Sequence, residues 1–453
     1  MLDGSVTWPT MERTREATGA HHEVGQGQLF FSMTDRRGII TAANSVFVDL
    51  ARFARDELMG QPHSIIRHPA MPSGCFKLMW DEILDGRPFC CYIHNLAKDG
   101  STYTVFATIT PAANDMFLSV RVRPLRRDLL DEALDWYAAT RPVELAAREH
   151  GINRRGAAAV GSDKLAELVT ESGYPSYDDF QWTALVAEAE ARSAVPAGLE
   201  TRPGATGPLA TMLICCHTLA AELRRWSGHQ ADIAHMARSL TEGIPHLLGA
   251  AASATQTATS LRSACRPGQE GTREVQFLVS RLAQMSRIID ELVAHLREFR
   301  RSCQDTRAYV ALAEIHTDAL SQFVVEILDD GPNDYDRDAV DQVCQALDVD
   351  FTEVSERSEE NASYAATMAH ELDRAHALIA DRQTTVAKLA ESLPPATATL
   401  VPQITEELAT VERALGLIEH LGHEAAALAI PQDTHLAEFQ IAHLLELMDG
   451  LAG

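Results

Sequence analysis

The stretch Phe89-Cys90-Cys91-Tyr92-Ile93-His94-Asn95-Leu96-Ala97-Lys98-Asp99-Gly100-Ser101-Thr102-Tyr103-Thr104-Val105-Phe106-Ala107-Thr108-Ile109-Thr110 reads as two β-type runs around a tight turn. Residues 89–95 and 102–110 are rich in β-branched and aromatic side chains, and Lys98-Asp99-Gly100-Ser101 between them suits a hairpin. Residues 116–123 continue the pattern as a third strand. Upstream, 29–33 and 38–42 are short β-type runs about the turn Asp35-Arg36-Arg37-Gly38. Helical patterns lie between the two groups. Asn44 opens one with Val46, Phe47, Leu50 and Phe53 on a face. Asp56-Glu57-Leu58-Met59-Gly60 is a single turn ended by Gly. Ser73 stands where it can cap a helix carrying Phe76, Met79, Trp80 and Ile83, which stops near Asp85-Gly86. Two strands, small helices and a three-strand meander predict an α+β domain over residues 28–125. Its five-stranded antiparallel sheet would have flanking helices, with a cavity between the two layers.

Inside that domain lies Ile65-Ile66-Arg67-His68-Pro69-Ala70-Met71-Pro72. Pro69 biases His68 toward an extended backbone, and Pro72 fits the first turn of the next helix. An arginine at a cavity mouth near a helix start suits a pyrophosphate or an anionic ring edge. The same residue types also serve to fix a surface loop, and the residues alone leave both readings open.

Asn44, Arg67-His68-Pro69 with Met71-Pro72, Phe76, Trp80, Gly86, Pro88, Asn95 and Gly100 stand in the order and spacing of the PAS domain of aerotaxis receptors. The segment resembles that family over roughly residues 28–125. The resemblance implies a PAS domain that holds FAD and reports redox state. It implies that Arg67 and His68 face the cofactor, that Phe76 and Trp80 pack against it, and that Asn44 and Asn95 hydrogen-bond near it. Two positions depart from the family. Its acidic residue between Pro69 and Met71 is here Ala70, which removes a polar contact. Its tryptophan after Pro88 is here Phe89, which keeps ring packing without an indole donor. Haem held by a single histidine is the rival cofactor, with His63, His68 and His94 as candidates. The cysteine signature of light-oxygen-voltage domains is absent. A ligand-free PAS domain acting as a dimerisation scaffold is the alternative.

At 453 residues, 46% of them hydrophobic, the chain can bury more than one core. A net charge of −25 argues against nucleic acid as a partner. Residues 28–127 hold 12 basic and 9 acidic side chains, so the acid excess lies in the later part. The eight cysteines include the adjacent pairs Cys90-Cys91 and Cys215-Cys216 but no C-x-x-C, which fits a reducing cytoplasm. No apolar run is long enough for a transmembrane helix, and the N-terminus lacks a signal-peptide pattern. The aerotaxis receptors are usually membrane-anchored, so a soluble protein departs from them.

Residues 1–27 read as a flexible tail, 126–193 as a helical connector and 194–208 as a linker bearing Pro196-Ala197-Gly198. Helices are expected over 209–270. From Leu278 a 4,3 spacing runs through Leu282, Met285, Ile289, Leu292, Leu296, Phe299 and Cys303 to Ile327, about seven heptads without a stutter. At about 1.5 Å per residue the helix is about 75 Å long. A second seam runs through Val340, Cys344, Leu347, Phe351, Val354, Ala365, Met368, Leu372, Ala375 and Ile379. With a turn at Gly331-Pro332 and an end at Leu393-Pro394-Pro395, residues 271–395 make a coiled-coil hairpin, and 396–453 hold final helices. A seam of that length needs a partner, so a homodimer of hairpins is expected. The hairpin loosely resembles the signalling region of chemotaxis receptors, but without their tip motif. His420 and His423 read as solvated surface. No catalytic constellation or nucleotide loop is present, so no enzyme is expected. The sequence therefore predicts a PAS sensor of redox state or oxygen, working through a flavin and relaying to a helical signalling region whose partner is unknown.

Overall fold

The computed structural model describes residues 16–25, 27–194, 201–264, 272–331, 336–391, 393, 400–429 and 433–451. The expected linker Pro196-Ala197-Gly198, the turn residue Pro332, Pro394-Pro395 and most of the expected tail lie outside them. The described residues form two units. The first holds residues 1–225, 308–354 and 434–453, and the second holds 226–307 and 355–433.

The first unit is built on an antiparallel sheet ordered β2-β1-β5-β4-β3. Its strands are β1 (Leu29–Thr34), β2 (Ile40–Ala43), β3 (Phe89–Leu96), β4 (Thr102–Ala112) and β5 (Met116–Val122). Gly100 turns the β3–β4 hairpin at φ 82°, where a side chain would be strained. Between β2 and β3 come α1 (Ser45–Ala51), α2 (Arg55–Leu58), a 3-10 turn (His63–Ile66) and α3 (Ser73–Leu84). This is the fold expected of residues 28–125.

One expected cap is different. Ser73 is the first helical residue of α3 and does not cap it. Its N–H and that of Gly74 donate instead to the Glu144 carboxylate, at 2.8 and 2.6 Å. Glu144 lies on α4 (Arg127–Glu149), which is followed by α5 (Arg154–Glu171) and α6 (Tyr177–Ser193). α4 ends with His150 as its C-cap, and Asn153 starts α5, its side chain accepting from Gly156 N–H. α3 and α5 cross at two glycines. A Cβ on Gly74 would stand 2.3 Å from Gly161, and one on Gly161 would stand 2.1 Å from Glu144 Oε1.

Part of the expected tail, within residues 16–25, bonds to the domain. Thr18 N–H donates to Gly100 O, and His22 bonds Thr102 O, Leu50 O and Ser101 Oγ. Every residue of β1 is buried, and nearly all of β3 and β5, with no alternation. Both faces are covered, which removes the solvent-facing half of the usual pattern. Helices α1 to α3 cover one face. On the other, α6 meets β3 through Gln181 to Cys90 N–H and Glu188 to Tyr92 Oη, both at 2.8 Å. Residues 308–330 of α9 (Thr272–Asp330) meet the same outer face. Phe323 packs edge-on against Phe31 at 4.7 Å, and Gln322 accepts from Leu29 N–H. In this unit α7 (Pro208–Arg225) also packs against α12 (His435–Leu451).

The second unit has one apolar core drawn from α8 (Ser227–Ala264), residues 272–307 of α9, residues 355–391 of α10 (Asp336–Glu391), and α11 (Val401–Ala427). The predicted seam is its centre: Leu278, Leu282, Met285, Ile289, Leu296, Phe299 and Cys303 are all buried. α9 and α10 run antiparallel, as His295 to Glu371 and Ser302 to Asn361 show. The open edge from which a homodimer was expected is filled by Leu240 and Leu247 of α8 and Ile404, Val411 and Ile418 of α11. The seam is thus covered within the chain by α8 and α11.

Candidate functional site in the sheet core

The inner face of the sheet, toward α1 to α3, carries Phe30, Ser32, Ser119 and Arg121 in the β1–β5 register, with Ala107 and Cys91 continuing the row across β4 and β3. The loop from the 3-10 turn to α3 closes one end. There the Arg67 guanidinium donates to Met71 O at 3.0 Å and Ser73 Oγ at 3.1 Å, and stands 4.2 Å over the Phe76 ring. Burial, then the nearby Arg141, lowers its pKa to about 10, and Glu144 acts against that fall. The Arg67 backbone bridges to Asn95. Asn95 is buried, and its Nδ2 has no hydrogen-bond partner among the described residues. His68 Nδ1 accepts from Ala70 N–H at 3.1 Å, and its ring meets His94 at 5.8 Å. Burial lowers the pKa of His68, and brings His94 down to about 4 with help from His68.

Arg67, His68, Phe76 and Asn95 are thus gathered at one end of the domain. Trp80 stands elsewhere, edge-on to Phe117 at 5.8 Å and over Gly38. Asn44 is consumed by the fold: its Oδ1 accepts from Phe31 and Phe47 N–H, and its Nδ2 donates to Leu29 O. Phe89 stacks on Tyr177 of α6 at 5.2 Å. Of the histidines weighed for haem, His63 has Nε2 bonded to Arg121 at 2.6 Å, and His94 has Nδ1 bonded to Thr104 Oγ1 at 2.7 Å.

Two residues escaped the sequence reading. Glu144 is 1% exposed, pairs with Arg141 at 3.0 Å and brings a carboxylate to the Arg67 end, where the loop itself has Ala70. Nothing local in its helix marks it. Arg121 is 2% exposed and sits on the inner face beside the stacked Phe30 and Phe47, each ring 5.6 Å from the guanidinium carbon. A charged residue at a core-facing strand position was the available signal.

No family model matches the chain. Over 96 residues it is 36% identical to the aerotaxis receptor of Escherichia coli K12, an alignment that takes in 20% of this chain and 19% of that one. This chain carries an aerotaxis-receptor-like PAS domain. Over 106 residues it is 28% identical to a nitrogen fixation regulatory protein of Klebsiella pneumoniae, covering 23% of this chain and 21% of the relative. The chain therefore spans about a fifth of the length of these curated relatives. A solved structure titled as the RsLOV d2 variant aligns with 32% of this chain and 84% of its own, at 17% identity and a TM-score of 0.21. Among the described residues no helix is long and apolar enough to cross a membrane, and no cluster of side chains is set to hold a metal.

Proposed function

We propose that the PAS domain holds a flavin, FAD by the family resemblance, and that the chain senses redox state or oxygen. The observation that supports this most is the set of buried, unpartnered polar atoms on one inner face: Asn95 Nδ2, Ser119 Oγ and Arg121 Nε. Buried polar atoms are nearly always bonded, so three spare ones on one sheet face fit a polar ligand laid along it. Bound there, a flavin would supply a reversible electron couple. Arg67 and Phe76 would close the loop end of the site, and Asn95 would donate to the ligand. Asn44 would hold α1 in place, with no atom left for the cofactor.

The relay proposed runs through the outer face of the same sheet. Phe31, Leu29 and Thr108 touch Phe323, Gln322 and His316 of α9. A shift of β1 or β4 caused at the inner face would reach α9 through those contacts. Relay to a signalling partner, in a cytoplasmic setting, belongs to the same proposal; the described cysteines are free thiols.

A ligand-free scaffold is the second reading, and one observation favours it: Asn44 and Arg67 already bond within the chain. The absorption spectrum of the purified protein, before and after incubation with FAD, decides. A flavin band supports the sensor, a Soret band replaces flavin by haem, and a colourless protein that takes up neither leaves the scaffold.

A further inference from the structure

We infer that Arg121 is the anion-binding centre of the PAS core and takes the pyrimidine edge of the flavin ring, holding it more tightly once the ring is reduced and negatively charged. The inference rests on the flavin reading and adds to it the residue that sets the cofactor's electrostatics.

Arg121 is a buried cation without a counter-charge. Its partners among the described residues are Ser32 Oγ at 3.0 Å, Ser119 O at 3.4 Å and His63 Nε2 at 2.6 Å. None is a carboxylate. His63 is neutral there, because burial and then Arg121 drive its pKa well below the usual histidine range. Taking an unpaired ion out of water is costly even after the surroundings relax, so buried charges are normally paired. The faces of Phe30 and Phe47 offset part of that cost through their negative ring clouds. They leave Nε unbonded.

The surroundings match a planar anionic edge. In register beside Arg121 across β4 stands Ala107, a small side chain, followed by Cys91. Ser119, two residues back on the same face, has a spare hydroxyl, and Asn95, four residues along β3 from Cys91 and so about 13 Å farther along the sheet, has a spare amide. A guanidinium is a flat fork that binds flat acceptors, and here it is already flanked by rings. Arg67, the arginine prominent in the sequence, stands at the loop end, where its Nη2 bonds Met71 O and Ser73 Oγ and its plane lies over the Phe76 ring.

The redox consequence has a sign. A flavin ring that takes up two electrons and one proton carries one net negative charge. A fixed positive charge at its edge binds that form better than the neutral oxidised form, so Arg121 raises the midpoint potential. The test compares wild type, R121K, R121Q and R121M as full-length protein loaded with FAD, titrated with dithionite as electron source and buffer as proton source. R121Q and R121M should fall by at least about 30 mV, which is a tenfold loss of preference for the reduced ring in a two-electron couple. R121K keeps the charge and should lie nearer wild type. R121Q should also lose at least tenfold in affinity for both FAD and riboflavin.

An unchanged midpoint in R121Q and R121M overturns the inference while leaving the flavin reading intact. A loss confined to FAD would move Arg121 to the phosphates and overturn the ring assignment. Thermal unfolding of the flavin-free protein guards against a purely structural role. Removing an uncompensated charge should leave R121M at least as stable as wild type, and if R121Q and R121M both fail to fold, Arg121 is a structural residue and the inference is dropped. A wild type that takes up no flavin removes the functional reading and this inference together.

Discussion

His316 on α9 and Asp350 on α10 form a fully buried pair, Nδ1 to Oδ2 at 2.5 Å, and the other ring nitrogen of His316 reaches Thr108 Oγ1 on β4 at 3.4 Å. A side chain of the sheet is therefore one contact away from a buried hydrogen-bonded pair that ties the two long helices together.

Asp350→Ala should destabilise the first unit by about 3 kcal/mol or more, because removing one member leaves the other buried and unpaired. Asp350→Asn keeps an acceptor for His316 and should cost less. Tryptophan fluorescence in urea reads this, since Trp80, Trp136 and Trp182 all belong to that unit. Equal midpoints for Asp350→Ala and wild type would show that the pair contributes nothing.

Glu314, also on α9, gives a pH dependence. Burial, with Asp318 and Glu190 adding, raises its pKa from 4.5 to about 7, while Arg224 opposes. A raised carboxyl binds its proton more tightly in the folded state. Its contribution is full below about pH 4.5 and is lost as the pH climbs through about 7. Asp318 and Asp350 are shifted in the same direction, chiefly by burial. The urea midpoint of the first unit should decline across that window, and Glu314→Gln should flatten the decline. A Glu314→Gln profile parallel to wild type would refute the assignment.

In the second unit Ile289→Asp should unfold the bundle rather than split a dimer, since the buried Ile289 packs in a core shared with α8 and α11. A lone carboxylate in that core is expected to cost about 4 kcal/mol or more. Far-UV circular dichroism and hydrogen exchange over residues 272–307 measure it. Native helicity with a halved mass in light scattering would restore the intermolecular seam.

Arg67→Ala should weaken flavin by at least about tenfold, consistent with charge-assisted contacts of roughly 1.5–3 kcal/mol. Arg67→Lys should not rescue it. Lysine lacks the flat face set over Phe76 and the planar geometry that aims Nη2 at Met71 O and Ser73 Oγ together. Flavin retention through gel filtration is the readout, and retention equal to wild type in Arg67→Ala would remove Arg67 from the site.

The strands about Gly100, the helix bearing Phe76 and Trp80, and the seam through Leu278 to Cys303 were all legible, because side-chain period and turn chemistry are local. What covers each buried face was not. Nothing near Thr108 announces His316, some two hundred positions later, and a regular seam says that a partner exists without saying which helix it is. The cap of α3 misled for the same reason: Ser73 has the right chemistry, but Glu144 supplies a stronger acceptor from a distant helix. In the site, the loop of Arg67 and His68 stood out by composition. Arg121 was hidden in an ordinary strand, and only the three-dimensional neighbours show that its charge is unanswered.

The burial of the outer sheet face by α6 and α9 limits how this domain can be cut and reused. Excising residues 28–125 as a module would strip Phe31, Tyr92, Phe106, Leu118 and Val120 of their cover. It would present a broad, sticky, pair-hungry plate to other copies. Such a fragment should precipitate or self-associate. The boundary of the folding unit is then set by what shields that plate, and grafting the domain elsewhere requires a new helix shaped to the same relief.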